Sequence, residues 1–316
     1  MASILLSALV PVNPVGAGVL QNPLNVGNYG TTDQDVVING AQADQQNDPL
    51  PAAPQVLQWD HAFIPWNKNP IDRTDYPNPV VPPANATFSN RNKILSLLKL
   101  FMLQAAYRPN VTFQVSRVGT VIYYLDGPLN DAPGPELDVN GQPAADQPGG
   151  YGIPFENLIA ANADPNLEKY FVFQSYSLLG VTELLIRTEV DCENQAGEIT
   201  EIKSKKTPNN PNFTIWTDAA YFKTVWAQML FGCTQSLVIG VYGLPNNNQQ
   251  HPPATFTSIN VRTFAQVEHL AGMDNGNDVA PLSLLAALIE WIRSNIADGE
   301  TKTFSFSRNS QTLTLA

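Results

Sequence analysis

The sequence predicts an α+β fold, a mixed β-sheet core flanked by helices in a single domain. Three observations predict it. Strand-like runs and helix-period segments follow one another without the regular alternation that builds a doubly wound parallel sheet. The 26 prolines and 20 glycines imply much loop and few long helices. A hydrophobic content of 43% over 316 residues is that of a folded chain, long enough for one large core.

Taken in order, residues 1–55 are rich in Asn, Gln, Pro and Gly, and no Lys or Arg occurs from Met1 to Trp59. Without a helical period they read as an extended or partly disordered arm, leaving 56–316 as the folded domain. Ile4 to Val10 is apolar but short and lacks a basic flank, which supports a signal peptide weakly and a membrane span not at all. Pro65 to Pro83 is a proline-punctuated loop. Asn90 to about Arg108 has apolar residues at helical spacing, and Val111 to Leu125 reads as strand. The Gly-, Pro-, Asp- and Asn-rich stretch from Asp126 to Tyr151 is a long loop.

Tyr170 to Cys192 contains strand-like runs with a kink at Gly180. Asn194 to Gly197 turns the chain, and Glu198 to Lys205 returns as a strand, giving a hairpin. Asp218 to Phe231 is an amphipathic helix ended by Gly232. Ser236–Tyr242 and Thr255–Thr263 are further strands, Pro281–Ile296 is a helix, and Thr301–Ser307 is a C-terminal strand.

The net charge of −11 argues against a generic polyanion-binding surface, yet Pro77 to Leu125 carries Arg91, Lys93, Lys99, Arg108 and Arg117 with no acid. That stretch reads equally as a face for a phosphate chain or as a solvated helix face. Two cysteines, Cys192 and Cys233, exclude a disulfide framework or a cysteine-rich zinc site and favour an intracellular location. His61, His251 and His269 are too scattered for a local zinc pattern. A phosphate-cradling P-loop and a Gly-x-Ser-x-Gly elbow are both missing from the sequence.

The richest chemistry lies in Glu189-Val190-Asp191 and Glu201-Ile202-Lys203. Alternate residues of a strand share a face, so each pair points to one side of the sheet. Clustered carboxylates resist burial unless a cation sits among them, and hard divalent ions seek such oxygen-rich places. This is the layout of metal-dependent nucleases, in restriction-nuclease-like strands, with the lysine meeting phosphate charge. A solvated hairpin face is the plainer alternative.

Further residues extend the pattern: Arg117, the run Gly152-Ile153-Pro154-Phe155-Glu156, Leu179-Gly180, and the helix Lys223-Thr224-Val225-Trp226-Ala227-Gln228. In this order they resemble the motifs of the DXO-type decapping exoribonucleases, which act on RNA 5′ ends. Val118 separates Arg117 from Gly119, where that family has Arg-Gly directly. The resemblance implies that Glu156, Glu189, Asp191, Glu201 and the carbonyl of Ile202 hold Mg2+ or Mn2+, two ions in all. It assigns catalysis to Glu189, Asp191, Glu201 and Lys203, and contacts with substrate phosphates to Arg117, Lys203 and Gln228. Residues 56–316 are then a single catalytic domain that removes incomplete or non-canonical caps, NAD included. Pyrophosphate release from 5′-triphosphates and 5′-to-3′ degradation belong to the same implied set. An RNA 5′ end is the implied partner, with a larger 5′-to-3′ exoribonuclease as a second one, in nucleus or cytoplasm and with no membrane. Two other readings remain: a restriction-like DNA nuclease, and a non-catalytic stabilising partner of an exoribonuclease. Glu156 also reads as a charge at a helix start, and Arg117 as a structural ion-pair partner.

Overall fold

Two β-sheets with a layer of helices between them organise the chain, an α+β arrangement as expected. In the computed structural model the described residues are 1–15, 19–31, 37–39, 41–58, 80, 82–125, 151–161, 169–207, 214–245 and 252–316. The loops expected at Pro65–Pro83 and Asp126–Tyr151 lie largely outside them.

Among the described residues one sheet has ten strands, in the order β1 (Ala2–Leu5), β17 (Thr312–Leu315), β16 (Thr301–Ser307), β7 (Val111–Val118), β8 (Val121–Leu125), β6 (Thr87–Asn90), β11 (Thr182–Val190), β10 (Lys169–Leu178), β2 (Leu20–Thr31) and β3 (Val37–Asn39). The other has seven: β5 (Gln55–Leu57), β15 (Ala254–Thr263), β14 (Ser236–Gly243), β13 (Ile199–Lys206), β12 (Cys192–Glu193), β4 (Gln45–Gln46) and β9 (Ala160–Ala161). Most pairs are antiparallel, but β6 runs parallel to both β11 and β8, β13 parallel to β14, and β12 parallel to β4.

Residues 1–55 therefore do not form a separate arm where they are described. β1 closes one edge of the large sheet against β17, β2 lies beside β10, and β4 joins β12 to β9. Polar composition misled because strands paired in a sheet draw stability from backbone hydrogen bonds, which composition does not register.

Among the described residues there are five α-helices: α1 (Arg91–Met102), α2 (Gly152–Ile159), α3 (Ala219–Phe231), α4 (Phe264–Ala271) and α5 (Val279–Ser294). α1 starts where the Asn90 side chain accepts the Lys93 amide at 2.9 Å, and α3 where Asp218 accepts the Tyr221 amide at 3.0 Å. α1 is shorter than its apolar spacing indicated; the chain extends at Leu103 and makes only a 3-10 turn at Ala105–Tyr107. α4 was not expected, although Thr263 and Gln266 form a capping box and Gly272 ends it at φ +64°.

Ile94, Leu97 and Leu98 of α1, Phe222 and Trp226 of α3, and Leu285 and Ile289 of α5 form one buried cluster with Leu184 and Ile186 of β11 and Leu237 and Ile239 of β14. The helices thus bind the two sheets into one core. α2 packs on the other face of the smaller sheet, where Phe155 stacks on Phe256 with ring centroids 4.8 Å apart. Gly240 makes room for that stack: a Cβ there would lie 2.5 Å from the Phe155 ring.

Candidate active site

The acidic residues meet where the chain leaves one sheet for the other. β11 ends at Val190 in the large sheet and β12 begins at Cys192 in the small one, so Asp191 stands on the crossover. This corrects the expected hairpin. β13 does pair antiparallel with the strand before it, but only through Cys192–Thr200 and Glu193–Ile199, and β11 belongs to the other sheet. Glu189 and Asp191 are consequently not two positions of one regular strand.

The crossover is held by the backbone of β13. The Ile202 amide donates to Asp191 Oδ2 at 2.6 Å. On that same side the Ile202 carbonyl accepts from Lys203 Nζ at 3.0 Å. The Lys203 ammonium also lies 2.5 Å from Glu201 Oε1 and 3.5 Å from Asp191 Oδ2. Three oxygens proposed from the sequence as metal ligands, from Asp191, Glu201 and Ile202, thus converge on one positive charge. Glu201 is 1% exposed.

The second oxygen of Glu201 receives the guanidinium of Arg91 at 2.7 Å, a bond between residues 110 positions apart. Arg91 was not among the candidates. β6 runs parallel to β11 with Asn90 opposite Arg187, so the first residue of α1 arrives at the end of β11 where the acids lie. A signal for it exists: Arg91 and Lys93 occupy the first turn of α1, which has no acid, although cations are disfavoured at a helix N-terminus. Both are buried. Arg91 also fits against the end of α3, its Nη1 lying 3.3 Å from where a Cβ on Gly232 would be.

These charges set the protonation of the cluster. Burial would raise the Glu201 carboxyl, but Arg91 and Lys203 outweigh it and hold it at about 2. Burial pushes Asp191 up to about 6, with Glu201 adding to the rise and Lys203, the Ile202 amide and Arg91 opposing it. Glu156, on α2, is raised to about 7 by burial first and then by the charge of Asp191, against the pull of Lys203. The Lys203 ammonium is stabilised by Asp191 and Glu201 in spite of its burial. Like-charge crowding therefore contributes, but desolvation is the larger cause.

Glu156 and Glu189 are within electrostatic reach of this centre. Gln228 lies half-buried on the last turn of α3, one turn before Gly232. Tyr221, on the first turn of α3, was also missed: its hydroxyl is buried without a hydrogen-bond partner, and burial together with the charges of Glu201 and Asp218 raises it to about 12 against Lys203. Among the described residues no three His, Cys, Asp or Glu side chains stand close enough to hold an ion by themselves.

Arg117 is elsewhere. Its neighbours across the sheet are Ile122, then Thr87, then Leu184, five residues before Glu189 on β11. That is about 17 Å along the strands and three strands across. Its side chain donates to the carbonyls of Gly119 and Ile296, tying the β7–β8 turn to the end of α5.

The fold resembles that of solved Rai1 and Dxo1 structures. Rai1 of Scheffersomyces stipitis in complex with 3′-NADP and calcium matches at TM-score 0.71 and 14% identity, over 100% of this chain and 93% of that one. Rai1 of Candida albicans in complex with pU5 and Mn2+ matches at TM-score 0.70 and 12% identity, over 100% and 92%. K. lactis Dxo1 in complex with manganese matches at TM-score 0.61 and 14% identity, over 100% and 97%. At such identities the likeness is one of fold. No protein-family model matches the sequence, and no curated protein matches it.

Proposed function

We propose that this chain is a divalent-metal-dependent hydrolase acting at RNA 5′ ends. The observation that carries the reading is the convergence of Asp191, Glu201 and the Ile202 carbonyl on the single ammonium of Lys203. Three oxygens that already gather a positive charge, with Glu156 and Glu189 nearby, fit the donor set of a hard cation. Glu156, Glu189, Asp191, Glu201 and Ile202 would hold two ions, Mg2+ or Mn2+. When bound, such ions supply Lewis-acid polarisation of phosphoryl oxygens and lower the pKa of water.

The chain's own groups divide the remaining work. Arg91 and Lys203 keep Glu201 ionised at every working pH. Lys203 offers positive charge to the phosphate oxygens, and the Tyr221 hydroxyl and Gln228 amide are further donors.

Support also comes from the fold's known ligands, since the Rai1 and Dxo1 structures carry 3′-NADP, pU5 and manganese. We extend the reading to removal of incomplete and non-canonical caps, NAD included, to pyrophosphate release from 5′-triphosphates, and to 5′-to-3′ exonuclease action. Two free cysteines suit a reducing compartment, nucleus or cytosol. The deciding experiment incubates RNAs that differ only at the 5′ end with the protein, with and without Mn2+. Metal-dependent release of a 5′-monophosphate RNA is expected, and Asp191→Ala or Glu201→Ala abolishes it. Inertness on every RNA overturns the reading in favour of a non-catalytic partner of an exoribonuclease, for which the apolar recess of about 420 Å³ lined by Val56, Leu244, Pro245 and Pro253 is a docking place. Cleavage of duplex DNA alone would point to a restriction-like nuclease.

A further inference from the structure

Asn-Gly pairs occur in the chain at Asn39, Asn140 and Asn275. Asn140 lies outside the described residues, and Asn39 is the last residue of β3, paired with Tyr29. Asn275 and Gly276 stand on the turn that joins α4 to α5, and both are exposed. Both adopt the left-handed region, at φ +56° and +81°, and the Asn277 amide closes the turn onto the Asp274 carbonyl at 3.2 Å.

The pair is open to reaction with itself. Among the described residues the Asn275 carboxamide makes no hydrogen bond, so no partner holds it away from the backbone. The Gly276 amide donates to no acceptor among them either, and a Cβ on Gly276 would meet nothing within 4 Å. Glycine puts no side chain in the path to that nitrogen and lets the backbone swing toward the carboxamide. Opening the exposed bond from the Asn277 amide frees the turn for that approach.

We propose that Asn275 is a site of spontaneous deamidation, with water as the only co-reactant, and that its isoaspartate product loosens the joint between α4 and α5. The Gly276 nitrogen gives its proton to solvent and attacks Asn275 Cγ. The N–Cγ bond forms, the Cγ–Nδ2 bond breaks, and ammonia leaves with a proton from solvent. Water then opens the cyclic imide at either carbonyl, giving aspartate or, with the chain routed through Cβ and Cγ, isoaspartate. No oxidation or reduction is involved. Isoaspartate lengthens the backbone by an atom between Asp274, held to His269 at 2.7 Å, and the buried Asp278. Either product adds negative charge where carboxylates already crowd: burial raises the Glu268 carboxyl, and the charges of Asp278 and Asp274 add to the rise. Val267, Ala271 and Met273 on one side of the turn share the central core with Leu282 and Leu285 on the other, so a change in its length reaches the packing of both helices.

The test ages the full chain in warm, mildly alkaline buffer beside a synthetic peptide of residues 270–280. Mass spectrometry of proteolytic fragments should show the acid form at position 275 accumulating within several-fold of the peptide's rate, and faster than at Asn39. Most of that product resists an aspartate-specific protease, as isoaspartate does. Gly276→Ala slows the conversion by an order of magnitude or more. Because alanine is strained at φ +81°, Asn275→Gln, which cannot close the five-membered ring, is aged beside it and gains no acid. Deamidated protein isolated by ion exchange unfolds at lower urea than fresh wild type and than Asn275→Asp, which carries the charge without the longer backbone. An Asn275 that stays an amide while the peptide converts, or an undiminished rate in Gly276→Ala, overturns the site. Deamidated protein that unfolds with Asn275→Asp overturns the loosening of the joint.

Discussion

Arg91→Met isolates what the buried guanidinium does. Methionine keeps most of the apolar stem and removes the charge that lies 2.7 Å from Glu201 Oε2. At that distance the pair attracts by about 6 kcal/mol for an effective dielectric constant of about 20. Part of this is offset by the desolvation of both groups, and breaking a buried pair by removing one partner costs about 3–5 kcal/mol. Lys203 remains 2.5 Å from the other oxygen, so a loss near the lower end, about 3 kcal/mol at pH 7, is expected. The pH dependence has a definite sign. A carboxyl held at about 2 in the folded protein contributes stability that is complete above the unfolded value of about 4.3 and fades as pH falls toward 2. In the variant, burial is opposed by Lys203 alone, Glu201 takes up a proton at higher pH, and the deficit against wild type is smaller at pH 4 than at pH 7. Urea unfolding followed by tryptophan fluorescence at both pH values measures this, with a midpoint shift of about 1 M or more at pH 7 for a urea slope of about 3 kcal/mol/M or less. A loss below about 1 kcal/mol at pH 7, or one that does not shrink at pH 4, would refute the assignment of Arg91 as the charge partner of a buried, ionised Glu201.

Three further outcomes are expected. Glu156 at about 7 and Asp191 at about 6 take up protons on folding, so the metal-free protein loses stability as pH rises from about 4 to 7; calorimetry should show Mn2+ binding more than about tenfold tighter at pH 7.5 than at 5.5, with proton release. Gly240→Ala places a methyl 2.5 Å from the Phe155 ring and 2.7 Å from that of Phe256; it should cost about 1–3 kcal/mol in urea unfolding and lower activity by moving α2, which carries Glu156. Arg117→Ala should leave turnover of a 5′-phosphorylated RNA within about twofold while costing about 1–3 kcal/mol through two lost hydrogen bonds to carbonyls. An Arg117→Ala protein with unchanged stability and no turnover would restore that arginine to the site.

The contrast between Arg117 and Arg91 shows which parts of this site a sequence can carry. Glu201-Ile202-Lys203 was readable because the strand that holds it, β13, is a local property of eight residues. α3 was readable for the same reason: Asp218 caps it, apolar residues recur at helical spacing, and Gly232 ends it. The sheet to which each acidic strand belongs is not local. β11 takes its neighbours from residues 87–90 and 169–178, whereas β12, two residues further on, takes its own from 45–46 and 199–200. Period-two spacing across Glu189-Val190-Asp191 cannot reveal that the chain changes sheets between them, yet that change is what brings Asp191 to the Ile202 amide. An arginine chosen by its likeness to a motif, in a stretch with five cations, had no such physical anchor. The anchor that did exist was energetic: two cations in the first turn of α1, opposed to the helix dipole, require compensation from outside the helix. Glu201, 110 residues away, supplies it to Arg91. A conflict between a residue and its local element is thus a stronger pointer to this site than agreement with a spacing rule.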